Sequence, residues 1–492
     1  MKQVVIAGGG SAGWMAAAFL SNVLGHSCQV TLVESEEIGI VGVGEATIPP
    51  ILLFNNVLGI SEREFIAATN GTFKLGIQFE NWGQQGDAYM HAFGDVGPQI
   101  GLTSFHHYWL KAKAQGLAYD YWDFSPSYQA AKAEKFAPLH QLPGTPFSNL
   151  AYAYHFDATL YANLLRKKAE AQGVTRVEGK IAEVVRAVNG DIAHLVMADG
   201  RVVAGHLFID CTGFRSLLLG ETLQVGYEDW SHWLPCDRAM AVPSANVGAP
   251  VPYTRAMAHQ AGWQWRIPLQ HRSGNGLVYC SQFLTEAQAS AQLLANLAGP
   301  ALAEPRPIRF TTGKRKALWS HNCIALGLAS GFLEPLESTS LHLIQSGIIR
   351  LVKLFPGNDD YSALRAQYNR QSQVEFEQIR NFIILHYHQT QRSDSEFWRY
   401  CQQMSIPDEL TQKIELFQQS GVVLREQDEL FSEVAWQQVM LGQGLMPSHY
   451  HVAANKFSDA QLKQLMQDMK VIVQGIVHKL PTHAQTLAQL RS

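Results

Sequence analysis

The stretch Val4-Val5-Ile6-Ala7-Gly8-Gly9-Gly10-Ser11-Ala12-Gly13-Trp14 decides how the rest of the chain is read. Val4 to Ala7 is a short run, apolar on both faces, as a buried parallel strand requires. The GxGxxG pattern of Gly8 to Gly13 follows at once, Trp14 to Leu20 continues as a helix, and Gln29 to Val33 reads as a second strand closing on Glu34. Together they make a βαβ unit with an acidic residue about twenty positions beyond the last glycine. Each part has a chemical use. Gly8 allows the turn, Gly10 lets a pyrophosphate reach the backbone, Gly13 lets the helix approach, and the helix start at Ser11 and Ala12 attracts phosphate. Glu34 can accept hydrogen bonds from a ribose. A glycine-rich turn alone is often structural, but strand, helix and acid in this order point to a dinucleotide.

Two later segments repeat the theme. Val203 to Cys211 (VAGHLFIDC) reads as a strand followed by Thr212-Gly213-Phe214-Arg215, and Cys323 to Gly331 (CIALGLASG) as a strand running into a turn at Gly327. The first of these taken alone could be an ordinary glycine cap. Three such turns spread along the chain suit a long, two-part cofactor.

With 492 residues, 47% hydrophobic and 16% charged, the chain exceeds what one core usually organises, so two or three interleaved substructures are expected. Lys+Arg 38 against Asp+Glu 42 gives a net charge of −4 without like-charge runs, which disfavours nucleic-acid and membrane arms and favours small-molecule chemistry. The six cysteines lie far apart without CxxC spacing and read as free buried thiols, and no metal site is expected. The chain passes from Met1-Lys2 straight into the first strand and has no apolar run of membrane-spanning length, so a cytoplasmic location is expected.

GGGSAGW at 8–14, GWQWRIP at 262–268 and EPLEST at 334–339 together resemble the flavin-dependent tryptophan halogenase family, over nearly the whole chain. GEATIP at 44–49, FIDCTGF at 208–214, PCDRAM at 235–240 and RNFIILHY at 380–387 are similar to family segments in the same order. The resemblance implies that reduced FAD, delivered by a separate flavin reductase, acts with oxygen on chloride or bromide to give hypohalous acid. That acid would halogenate an indole or tryptophan-like aromatic. Ala46, Gly327 and Leu336 would join Gly8, Gly10, Ser11, Ala12, Gly13 and Glu34 around the FAD. The signature Trp263, Trp265, Ile267 and Pro268 would crowd the space beside the flavin, which two indoles and a rigid proline can do. The bland reading is that both tryptophans are core aromatics of a sheet, since alternation puts them on one face.

Lys74 matches the family's active-site lysine and would bind the oxidant or form a haloamine; without the match it reads as a solvated strand residue. Glu337 matches the catalytic glutamate, which stabilises the cationic ring intermediate and removes the ring proton. Its alternative is capping, because Glu337-Ser338-Thr339 precedes the apolar stretch from Leu341 to Leu354. Thr339 and Ser340 stand where family members offer N–H groups to halide. Ser340 departs from the glycine common in the tryptophan enzymes, which suggests bromide. His91 and Phe93 resemble the family's aromatic substrate sandwich, while the lid that grips an amino-acid group finds no match.

The fold class expected is α/β: a Rossmann-type (GR2-like) FAD-binding βαβ module with an inserted substrate-side β-sheet and a mainly α-helical C-terminal region. Residues 1–75, 156–225 and 310–355 would form the discontinuous FAD module, 76–155 and 226–309 the substrate-side insertions, and 356–492 the helical region. Amphipathic spacing predicts helices over 361–385, 407–419 and 458–478. A homodimer is admitted. The rival readings are an FAD-dependent aromatic monooxygenase and a flavin-binding protein without turnover. No second GxGxxG unit is present to hold a nicotinamide, and Lys74 with Glu337 speak for turnover.

Overall fold

A computed structural model describes residues Met1–Ile38, Gly44–Gly357 and Asp360–Arg491. The chain forms two compact units, one of Met1–Gly71, Phe156–Arg238 and Ile308–Glu377, the other of Thr72–His155, Ala239–Pro307 and Gln378–Ser492.

The first unit is an α/β layer on a six-stranded sheet in the order Trp319–Ser320, Cys323–Ala325, Leu207–Asp210, Lys2–Ala7, Cys28–Glu34, Thr175–Glu178. Lys2–Ala7 lies between two parallel partners, with Val4 opposite Val30 on one side and Leu207 on the other. Burial on both faces explains its unbroken apolar run, since Val4 through Ala7 are all in the core. The helix Ser11–Leu24 connects the first two strands and buries Gly13 through Leu20. The expected single strand from Val203 to Cys211 is in fact two. Val202–Ala204 is antiparallel to Ile192–Met197 in a separate three-stranded sheet, and Leu207–Asp210 enters the main sheet. Gly205 makes the crossing, because a Cβ there would lie 2.7 Å from a methyl of Val5. The apolar pattern runs on through the break, so it hides the change of sheet.

The second unit carries a seven-stranded sheet. Within it Ser273–Tyr279, Gly262–Pro268, Thr254–His259, Gly76–Glu80 and Ala88–Ala92 lie side by side. A short strand, Thr72–Lys74, pairs antiparallel with the segment beginning at Ala153, with Lys74 opposite Ala153. The helices expected at 361–385, 407–419 and 458–478 are Ser362–His388, Asp408–Ser420 and Asp459–Lys479. Ser458 starts the last with a reciprocal cap: its hydroxyl accepts from the Gln461 N–H while the Gln461 side chain accepts from its own N–H. None of the six cysteines forms a disulfide, and all but Cys211 are buried. Among the described residues, no helix is long and apolar enough to cross a membrane.

Candidate active site

The glycines of the first turn divide into two kinds. Gly8 sits at φ +111°, and a Cβ on it would lie 2.2 Å from the Cys211 carbonyl oxygen; one on Gly13 would lie 1.8 Å from the carbonyl oxygen of Gly8. Both are demanded by the fold itself. Gly10 is not: its φ of −74° suits any residue, and a Cβ there would meet nothing within 4 Å. It precedes the helix Ser11–Leu24 without a side-chain cap, so that among the described residues no side chain of the cap position takes up the N–H groups of Ser11, Ala12 and Gly13. The other two turns converge here. Cys211 abuts Gly8, and Gly327, at φ +63°, lies so close that a Cβ would come 2.9 Å from that of Ala12.

Asp210, quoted in the sequence motif but not singled out, anchors the second turn. Its buried carboxylate accepts from the Thr212 N–H and hydroxyl at 3.0 and 2.6 Å and from the Leu218 and Leu219 N–H groups at 2.9 and 2.8 Å. Glu34 reaches the glycine turn as expected from the spacing, with its carboxylate against Gly9. It is already engaged: Arg176 donates to Oε1 at 2.6 Å and the Trp14 indole to Oε2 at 3.3 Å. Each oxygen keeps a lone pair for a further donor. Ala46 and Leu336 are buried in the same unit. A bare backbone at Gly10, an uncapped helix start and an acid beside them make a cradle that fits a dinucleotide pyrophosphate and ribose.

Glu337 is 0% exposed, at the end of a single helical turn, Pro335–Glu337. Ser338 follows at φ +58°, and Thr339 occupies the N-cap position of the helix Ser340–Lys353. Thr339 itself does not cap the helix. Thr339 has helical dihedrals (φ −90°, ψ −9°) rather than the extended ones a cap needs, and its side chain accepts nothing from the helix start. Its Oγ1 is instead a buried atom without a hydrogen-bond partner among the described residues. One and two turns on, His342 Nδ1 and Gln345 Nε2 are in the same condition. At spacing of three residues these atoms share a helix face at the helix start. The other nitrogen of His342 bonds Glu375 at 3.2 Å, and Arg350 and Ser346 donate to that carboxylate at 2.7 and 2.9 Å. Burial alone would raise the Glu375 pKa, but the bonds from His342 and Arg350 outweigh it and hold the carboxyl below its usual range.

Lys74 overturns the solvated reading: it is 0% exposed, with its ammonium 5.3 Å from the centre of the Phe93 ring. His91 lies edge-on to Phe93 at 6.4 Å and to Phe382 at 5.7 Å, with Phe431 at 6.2 Å. Phe382 and Phe431 stack at 3.8 Å, and Trp436 closes on Phe382 at 4.7 Å. These three come from more than 280 positions downstream, so no local pattern could have joined them to His91. Glu429, close by in sequence, pairs with Lys413 at 2.9 Å and accepts the Trp436 indole N–H at 2.7 Å.

The signature occupies the strand Gly262–Pro268. Trp263 is flanked by Ala258 and Val278, Trp265 by Ala256 and Gly276, so each indole has a small residue beside it. The Trp265 ring lies across Gly276, where a Cβ would fall 2.0 Å from Cζ2. Trp263 packs 6.0 Å from Trp265 and 6.3 Å from Trp82, which donates to the Ala256 carbonyl. Register and alternation put Trp263, Trp265, Ile267 and Thr254 on one sheet face with His91. The Trp265 N–H is buried without a partner among the described residues.

The tryptophan halogenase profile matches residues 3–459. Among solved structures, Xcc4156, a flavin-dependent halogenase from Xanthomonas campestris, is 52% identical with a TM-score of 0.96, covering 99% of this chain and 98% of that one. BrvH, a flavin-dependent halogenase from Brevundimonas sp. BAL3, is 43% identical with a TM-score of 0.95, covering 100% and 99%. Tryptophan 6-halogenase SttH of Streptomyces toxytricini is 37% identical over 440 residues, 84% of this chain and 83% of that protein. A cradle for a dinucleotide, a buried lysine beside aromatic rings and a profile match over nearly the whole chain agree: the chain belongs to the tryptophan halogenase family and is a flavin-dependent halogenase, working with reduced FAD and halide.

Proposed function

We propose that this halogenase acts on an indole or a similar electron-rich aromatic held against His91 and Phe93, with Lys74 presenting the oxidised halogen and Glu337 serving as base. The observation that carries the reading is the complete burial of Lys74 over the Phe93 ring. Removing an ammonium from water costs several kcal/mol, a cost a fold bears where the charge is used.

Bound reduced FAD supplies, with oxygen, the two-electron oxidation that turns halide into hypohalous acid. Gly8, Gly10, Ser11, Ala12 and Gly13 hold the cofactor's pyrophosphate, Glu34 its ribose, and Ala46, Gly327 and Leu336 line its path. Thr339 and Ser340 hold the halide, the anion taking the helix-start N–H groups and the Thr339 hydroxyl. Trp263, Trp265, Ile267 and Pro268 keep organic molecules away from the flavin, so that the inorganic anion is what gets oxidised. Lys74 donates a hydrogen bond to the oxygen of hypohalous acid and polarises the oxygen–halogen bond. The ring carbon takes the halogen, the hydroxide leaves as water with a proton from Lys74, Glu337 accepts the ring proton, and the site resets when Glu337 gives up that proton and Lys74 regains one. The sum is aromatic C–H plus hypohalous acid giving aromatic C–halogen plus water.

The wall around His91 is aromatic, and Glu429 is committed to Lys413 and Trp436. This supports a substrate recognised by its ring rather than by an amino-acid head group. Ser340 in place of glycine supports bromide over chloride. The test is to incubate the protein with FAD, a flavin reductase, NADH and either halide against indole, substituted indoles and free tryptophan, with products read by mass spectrometry. Halogenated indoles formed faster than halogenated tryptophan support the reading; hydroxylated products without halogen overturn it.

A further inference from the structure

The strand that carries Lys74 is held at every residue, and the bonds at Thr72 and Phe73 have a direction that can be worked out. The Thr72 hydroxyl lies 2.6 Å from the Pro268 carbonyl oxygen and 3.0 Å from His155 Nδ1. A carbonyl only accepts, so the single hydroxyl proton points to Pro268 and Thr72 must accept from His155 Nδ1–H. In a neutral ring Nε2 is then the acceptor, and the Thr254 hydroxyl, 2.9 Å away, donates to it. His483 follows the same logic: the Phe73 N–H donates to its Nε2 at 3.1 Å, and its Nδ1–H donates to the Pro250 carbonyl at 2.7 Å. Both rings are buried and held neutral, each by burial first, and His155 also by the charge of Lys74. Lys74 thus has neutral imidazoles rather than further cations beside it.

The ends of the Thr254–His155–Thr72–Pro268 chain are informative. Pro268 ends the signature strand. Thr254 falls in register with Ile77 and so with His91 on the same sheet face as Trp265 and Ile267. Both anchors belong to the sheet that carries the signature and His91.

We propose that His155 is a positioning residue: with Thr72 and Thr254 it clamps the Lys74 strand to the signature sheet, and so fixes where Lys74 presents the oxidised halogen relative to the substrate held by His91. The proposal rests on the role assigned to Lys74 above. With the clamp broken at one bond, hypohalous acid is still made but escapes.

The test uses near-isosteric pairs in the full-length protein: Thr72→Val against Thr72→Ser, and Thr254→Val against Thr254→Ser. For each, halogenated indole per reduced FAD consumed is measured together with free hypohalous acid, trapped by a 1,3-diketone. We expect each valine variant to lose coupling on the order of tenfold, with free oxidant rising, a part of the roughly 100-fold that a misplacement of about 1 Å can cost. FAD affinity and reduced-FAD consumption should stay at wild-type level, and each serine variant should keep its coupling within about threefold. A merely structural role would lower stability without moving the coupling ratio. Should Thr72→Val fail to fold, the Thr254 pair decides. Valine and serine variants with equal coupling overturn the clamp. A wild-type protein that halogenates no indole overturns the underlying reading instead, so the two failures are distinct.

Discussion

Replacing Gly10 with alanine separates the needs of the fold from those of the cofactor. At φ −74° alanine is unstrained, and its methyl meets nothing within 4 Å. The protein without flavin should therefore be as stable as wild type or gain about 0.4–1 kcal/mol from a less disordered unfolded chain. The same methyl projects where a pyrophosphate must approach the helix start. Displacing the phosphate sacrifices one or two charge-assisted hydrogen bonds at about 1.5–3 kcal/mol each, which weakens FAD binding roughly 10-fold at the least. Gly13→Ala is the contrast, since its methyl would stand 1.8 Å from the Gly8 carbonyl oxygen and must disrupt the apo fold. Thermal unfolding without flavin and titration with FAD by fluorescence quenching give both numbers. A folded Gly10→Ala that binds FAD within threefold of wild type would refute the cradle, and so would a Gly10→Ala as destabilised as Gly13→Ala.

Further outcomes follow from the same geometry. Glu337→Gln keeps the shape of a buried carboxamide but loses the base, so product formation should fall roughly 100-fold or more while FAD binding stays unchanged; equal loss of both would assign Glu337 to folding. With chloride and bromide competing in one vessel, brominated product should dominate, and a chloride preference would remove the inference drawn from Ser340. Gly276→Ala should drive the Trp265 ring off the neighbouring strand, visible as a shift in tryptophan fluorescence and as a loss of product per flavin oxidised; an unchanged spectrum would contradict the 2.0 Å approach. Acid should weaken the second unit. Burial lowers His106 and His483 to about 4, so between pH 6.5 and 4 the unfolded chain takes up protons that the folded one refuses. Stability therefore falls as pH falls, by about 1.4 kcal/mol per pH unit for each histidine. Denaturant midpoints that do not drop from pH 7.5 to 5.5 would refute this.

The parts legible in the sequence were those whose physics is local. Val4 to Glu34 carries strand, turn, helix and acid within one short span, and the later amphipathic helices announce themselves by spacing. What stayed hidden depended on distance or on backbone angle. His483 holds Phe73 across 410 positions, and Phe431 faces His91 across 340, and no pattern within a window links such pairs. The split at Gly205 and the uncapped Thr339 were missed for another reason: composition favoured a continuous strand and a capped helix, and each was decided by a dihedral or a close contact. Lys74 on a short strand looked like a surface residue because its burial is created by partners that fold in from elsewhere.

The central claim is that Lys74 holds and polarises the oxidant from which the aromatic ring takes the halogen. Its most direct measurement is the mass spectrum of an indole incubation with bromide, wild type beside Lys74→Ala, both loaded with FAD and consuming reduced flavin at equal rates. The account predicts the paired bromine isotope peaks in wild type and their loss in the variant. Brominated indole at undiminished yield from Lys74→Ala would contradict it.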